Sequence, residues 1–140
     1  MATGGDLQLV VNIDVDDLEK AVRFYADAFG LTPGRELFDR SVAEMLGAAS
    51  TIHLLAKPAG GAAIPQTTLS RAYTRHWTPV HLDFQVADIA AAVQRAVRAG
   101  ARLESPIQSF RWGRLATMSD PFGHGFCLVQ LSPNGYDEVA

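Results

Sequence analysis

The sequence predicts an α+β fold built from two βαβββ units in tandem. Three observations predict it. Two stretches, Leu7–Gly30 and Pro79–Gly100, each read as a strand running into an amphipathic helix that stops at a glycine. The stretches also match each other: Val15, Asp17 and Leu18 fall on Val86, Asp88 and Ile89 at an offset of 71, and Gly30 falls on Gly100 at 70. Each helix is then followed by three strand-like runs.

The first unit, residues 7–57, opens with LQLVVNIDV, Leu7–Val15. Period-two alternation puts Leu9, Val11, Ile13 and Val15 on one face of this strand, and Gln8, Val10, Asn12 and Asp14 on the other. Asp16 or Asp17 supplies an N-cap carboxylate, and Leu18, Ala21, Val22, Tyr25 and Phe29 form the buried stripe of a helix. Strand-like runs follow at Thr32–Phe38, Val42–Leu46 and Thr51–Lys57.

Residues 58–76, PAGGAAIPQTTLSRAYTRH, form the one linker-like stretch. A connection of this length serves as a functional loop, a lid or a plain tether between units. The second unit, residues 77–131, begins with Val80, Leu82, Phe84 and Val86 alternating against His81, Asp83 and Gln85. Asp88 caps a helix with Ile89, Ala92, Val93 and Ala96 as its apolar stripe, and runs at Arg102–Pro106, Arg111–Met118 and Gly125–Leu131 complete the unit. The tail, residues 133–140, reads as irregular. The expected organisation is a single domain over residues 1–140.

Composition narrows the function. The chain has 140 residues, 48% of them hydrophobic and 19% charged, which suits a globular chain with one real core. A net charge of −3 gives no electrostatic footprint for a nucleic-acid partner. No apolar run approaches the roughly 20 residues a membrane helix needs. A lone cysteine, Cys127, excludes an internal disulfide framework, and MATGGDLQ lacks the pattern of a secretory leader. The expected compartment is the cytoplasm.

One helix covers one face of a four-stranded sheet, so each unit leaves a face open. Two units side by side would curl these faces into a shared cavity for a small-molecule ligand. The open faces carry Asn12 in the first unit and His81 and Asp83 in the second. Asp83 could orient His81 or act as a base, or lie solvated at the rim. Trp77 leads into the His81 strand and Trp112 into a later one; they could stack on a ligand or fill core or interface space. His124, in a glycine-flanked turn, reads as exposed, and His76 as a gate or a surface residue.

Two βαβββ units, the run His-x-x-Phe-x-Val-x-Asp (His81–Asp88), the turn Asp120-Pro121-Phe122-Gly123 and the opening VDDLEKAVRFYADAFGL (Val15–Leu31) together resemble the vicinal oxygen chelate superfamily. That superfamily groups glyoxalases, bleomycin-resistance proteins and ring-cleaving dioxygenases. The resemblance implies sheets forming a U-shaped half-barrel, a homodimer, and either no cofactor or one divalent metal ion. Metal-binding members draw one ligand from the first and last strand of each unit. His81 matches one of these positions and His53 a second. The position equivalent to His81 in the first unit is Val10, which has no donor atom, and the position of the usual last-strand glutamate falls on Cys127.

Two imidazoles and a thiolate could hold Zn²⁺ with one open position; otherwise His53 and His81 line the cavity and bond the ligand. Cys127 reads either as a nucleophile activated by a nearby histidine or as a small buried apolar residue. Two functions follow. The first is a small-molecule-binding protein with an incomplete metal site, its cavity lined by Asn12, His53, Trp77, His81, Asp83, Trp112 and Cys127. The alternative is a metal-dependent lyase, isomerase or dioxygenase acting on vicinal oxygens, with His53 and His81 as ligands.

Overall fold

The structure is a computed structural model that describes residues 7–140. Most of the stretch read for a leader, residues 1–6, lies outside the described residues. The first unit runs β1 (Val10–Val15), α1 (Leu18–Phe29), β2 (Thr32–Leu37), β3 (Val42–Leu46) and β4 (Thr51–Ala56). Its sheet has the order β1-β4-β3-β2, with β1 parallel to β4. The second unit runs β5 (Leu82–Gln85), α2 (Ile89–Ala99), β6 (Arg102–Leu103), β7 (Gln108–Phe110), β8 (Gly113–Ser119) and β9 (Gly125–Leu131). Its sheet has the order β5-β9-β8-β6, with the short β7 also on β8. The two βαβββ units are therefore present, the second with one extra short strand. The tail forms a 3₁₀ turn at Gly135–Val139 rather than an irregular end. Among the described residues no helix is long and apolar enough to cross a membrane.

Both helices start and stop for the same local reasons. Asp17 accepts a hydrogen bond from the Lys20 amide and Asp88 from the Ala91 amide, each at 3.1 Å, satisfying an orphan donor of the first turn. Gly30 ends α1 with φ at 71°, a left-handed conformation that suits glycine.

The two units share one core. Phe29, at the end of α1, stacks on Phe84 of β5 with ring centroids 4.2 Å apart and meets Phe126 of β9 edge-on at 5.5 Å. Tyr25, one turn earlier, donates to Asp120 Oδ2 at 2.6 Å, in the turn before β9. Burial, then the Asp120 charge, pushes the Tyr25 phenol well above its usual value. Asp120 Oδ1 accepts the Phe122 and His124 amides, so this carboxylate both shapes its own turn and anchors α1. Tyr25→Phe removes the bond that crosses between units and should cost about 1–3 kcal/mol in urea unfolding; an unchanged midpoint would mean the bond is dispensable.

The start of the second unit departs from expectation. Val80 is 83% exposed, not a core residue, and the ladder begins at Leu82. Proline at 79 has no amide hydrogen to give a ladder. Instead the chain pairs earlier, at His76, which donates to the Gly123 carbonyl at 2.8 Å and accepts from the Gly125 amide at 3.2 Å. Between His76↔His124 and Leu82↔Phe126 the chain bows outward. Trp77 lies on Gly125, where a Cβ would come within 2.3 Å of the indole.

Candidate functional site

β1 and β5 are the end strands of their sheets, and the seam between them holds two cavities. The first, about 360 Å³, is lined by Val11–Asp14 of β1, Tyr25 of α1, His76, Thr78, Val80–Leu82 and Phe84, and His124–Phe126. The second, about 630 Å³, shares Val11, Leu82 and Phe84 with the first and extends to Asp83, Gln85 and the β3–β4 turn. Aromatic walls with a few convergent polar groups are the usual make-up of a small-molecule site.

Of the residues expected to line one shared cavity, Asn12 and His81 line the first seam cavity and Asp83 the second. His53, Trp77, Trp112 and Cys127 line neither. Trp77 sits edge-on to the His81 ring at 5.4 Å. Trp112 is stacked on Phe110 at 5.2 Å and faces Tyr136 at 5.6 Å, so it packs against the C-terminal turn.

The structure adds groups that the sequence did not single out for this site. His124 is half-buried, contrary to the expectation of an exposed turn residue. Its Nε2 donates to the Asp14 carbonyl of β1 at 2.6 Å, and its Nδ1 lies 3.1 Å from His76 Nε2. His76 Nδ1 in turn donates to the Thr74 carbonyl at 2.8 Å. Both outer bonds end on carbonyls, which only accept. Arg71 fastens the same segment to β1 through Asp14 at 2.7 Å, and Tyr73 donates to the Lys57 carbonyl, just past β4, at 2.7 Å. The 58–76 stretch is thus tied across the seam rather than being a plain tether. The His124–Asp14, His124–His76 and Arg71–Asp14 partners lie 110, 48 and 57 residues apart, so no local pattern announced them.

On the open face of the first sheet, cross-strand register aligns Asn12, His53 and Glu44 in one row. Arg35 grips Glu44 through two side-chain bonds at 3.1 and 2.8 Å and its own amide at 3.2 Å. These bonds, the side-chain ones foremost, hold the Glu44 carboxyl down at about 2 against an ordinary 4.5. His53 Nε2 lies 4.0 Å from the same carboxylate. A depressed acid contributes stability above its unfolded value and loses it as pH falls towards the folded one. Stability should therefore decline between about pH 4.5 and 2, and Glu44→Gln should flatten that decline in thermal unfolding. An identical pH profile would contradict the role given to the pair.

On the second sheet, Asp83 is directly opposite Cys127, and Thr117 opposite Cys127 on its other side. His81, just ahead of β5, brings its Nε2 within 3.3 Å of Asp83 Oδ1. The Cys127 thiol is pushed up by burial first and then by the Asp83 charge and hydrogen bond, with Thr117 opposing. Asp83 stands in register with Cys127, and its charge disfavours the thiolate, which weighs on the side of a small buried residue rather than a nucleophile.

The cross-unit metal site implied by the fold family does not fit these residues. Val10 offers no donor, Glu44 is occupied by Arg35, and His53 stands beside Glu44. The donor atoms that do converge, all within 4.8 Å of one another, belong to His81, Asp83 and Cys127.

Two units with this topology and a seam cavity define a protein of the glyoxalase-like type. Residues 10–129 match the glyoxalase-like domain family, and the chain belongs to it. An uncharacterised protein of Mycobacterium bovis is 30% identical, across 93% of this chain and 87% of that one. The anthracycline biosynthesis protein DauV of Streptomyces sp. (strain C5) is 33% identical over 122 residues, covering 86% of this chain and 40% of its own length. Among solved structures, the fosfomycin resistance protein FosX of Listeria monocytogenes superposes with a TM-score of 0.70 at 19% identity, covering 100% of both chains. TnmS3, an antibiotic-binding protein of Streptomyces sp. CB03234, gives 0.65 at 23%, covering 94% of this chain and 100% of that one. At these identities the structural likeness is one of fold.

Proposed function

We propose that this protein binds a small organic molecule, with aromatic surface and hydrogen-bonding groups, in the seam between β1 and β5. The observation that carries the reading is the composition of the cavity of about 360 Å³: Tyr25, Phe84 and Phe126 form apolar walls, while Asn12 and His81 present polar side chains. The names of similar proteins agree with it: TnmS3 is an antibiotic-binding protein, FosX a fosfomycin resistance protein and DauV an anthracycline biosynthesis protein. A metal-dependent lyase, isomerase or dioxygenase is the second reading, favoured by the converging donors of His81, Asp83 and Cys127.

In this reading residues 1–140 act as one glyoxalase-like domain and work as a homodimer. Support for the dimer comes from exposed apolar side chains, Leu9 and Val80 together with Val10 and Leu46 at one end of the first sheet. A cytoplasmic protein with a reduced thiol suits the single free cysteine.

The test is a screen of small aromatic fragments against the ¹⁵N-labelled protein. Amide shifts clustering at residues 11–14, 76–84 and 124–126 support the reading. Shifts confined to the groove between α1 and β2, near Leu18 and Pro33, would move the site elsewhere. A screen without any localised shift would remove the binding function.

A further inference from the structure

We propose that His81, Asp83 and Cys127 form a binding site for a borderline divalent cation, Zn²⁺ by its donor chemistry, contained wholly within the second unit. Unlike the cross-unit arrangement the fold family implies, it uses Asp83 and leaves out His53. The inference does not rest on the proposed organic ligand.

Geometry supports it first. One nitrogen, one oxygen and one sulfur donor lie within 4.8 Å of one another. Bonds of about 2.0–2.3 Å in a tetrahedral site put ligand atoms about 3.3–3.8 Å apart, so small rotamer adjustments close the set. Two of the side chains stand on paired strands, Asp83 of β5 in register with Cys127 of β9, and His81 immediately precedes β5. Trp77 lies edge-on to the His81 ring at 5.4 Å and Thr117 of β8 is the register partner of Cys127, which gives the donors supporting neighbours.

Chemistry supports it second. A thiolate with an imidazole and a carboxylate suits zinc over magnesium, calcium or manganese, which prefer all-oxygen cages. Among the described residues the one ion-pair partner of Asp83 is His81, so no lysine or arginine competes for the carboxylate. The negative charge that disfavours the Cys127 thiolate in the free protein is the charge a cation would neutralise. Side-chain exposures of 38% for His81 and 46% for Asp83 leave the ion reachable, with a fourth position open towards solvent and the seam cavities.

Cobalt titration of the chelator-treated full-length protein, with no organic ligand present, tests the site. Co²⁺ should bind one to one and give a near-ultraviolet thiolate-to-cobalt charge-transfer band that Zn²⁺ displaces. Asp83→Asn and His81→Ala should weaken binding by about 100-fold, Cys127→Ser should abolish the band, and His53→Ala should change neither. Because Cys127 is buried, Asp83→Asn at an exposed position provides the arm that keeps the fold, checked by circular dichroism. The proposal is overturned by a folded wild-type protein that binds no Co²⁺, by binding indifferent to Asp83→Asn, or by binding lost in His53→Ala.

Discussion

Replacing Phe126 by alanine should cost about 3–5 kcal/mol of folding stability, the largest loss expected from any single truncation on the seam. Phe126 is 4% exposed and meets Phe29 at 5.5 Å and Phe84 at 5.9 Å. Its ring is held by α1 of the first unit and by β5 of the second, so neither side can collapse into the space without moving a helix or a strand. It also forms part of the cavity wall. Urea unfolding should give a lower midpoint with an unchanged slope, which would place the loss in stability rather than in the denatured state. A cost below about 1 kcal/mol would mean the units do not share this core.

Gly123→Ala should be nearly as damaging, at about 3 kcal/mol or more, for a different reason. Gly123 adopts φ +86°, and a Cβ there would lie 2.2 Å from the Thr74 carbonyl oxygen and 2.7 Å from the Arg75 amide nitrogen. These are backbone atoms and cannot rotate away. The segment must retreat, breaking the bond from the His76 amide to the Gly123 carbonyl and with it the histidine chain to Asp14. Hydrogen exchange at residues 73–77 should accelerate together with the fall in thermal midpoint. Gly60→Ala serves as the control: its φ of +83° is similarly strained, yet no atom lies within 4 Å of the added carbon. If the two variants lose the same stability, the docking of this segment contributes nothing.

Most of the fold was legible because it rests on local signals. Aspartates at the helix starts, glycines at the ends and apolar residues at helical spacing act over four or five residues, and they placed both units. The element that slipped was β5, where alternation continued through Val80 although Pro79 had already broken the ladder. The sequence resemblance to the family was equally visible, as was the loss of the donor at Val10. The site was legible only in part. Strand parity put Asn12, His81 and Asp83 on faces that line the seam cavities, but parity fixes the face and not the neighbour across the seam. His124 and Tyr25 were not expected in the cavity lining, and His76 only as a gate or surface residue, because their positions follow from how the units and the 58–76 stretch pack. Trp112 was assigned to a cavity on strand order, while its stacking partners, Phe110 and Tyr136, take it to the C-terminal turn.

The central claim is that the seam between β1 and β5 is the ligand site, and filling it is the most direct test. Val11 lines both seam cavities from β1, so Val11→Trp should occupy the space where they meet. The measurement is the Kd of the strongest-shifting aromatic fragment for the wild type and for this variant, with circular dichroism confirming that the variant is folded. A loss of affinity of about tenfold or more, equivalent to about 1.4 kcal/mol, is the predicted result. An unchanged Kd in a folded Val11→Trp protein would contradict the account.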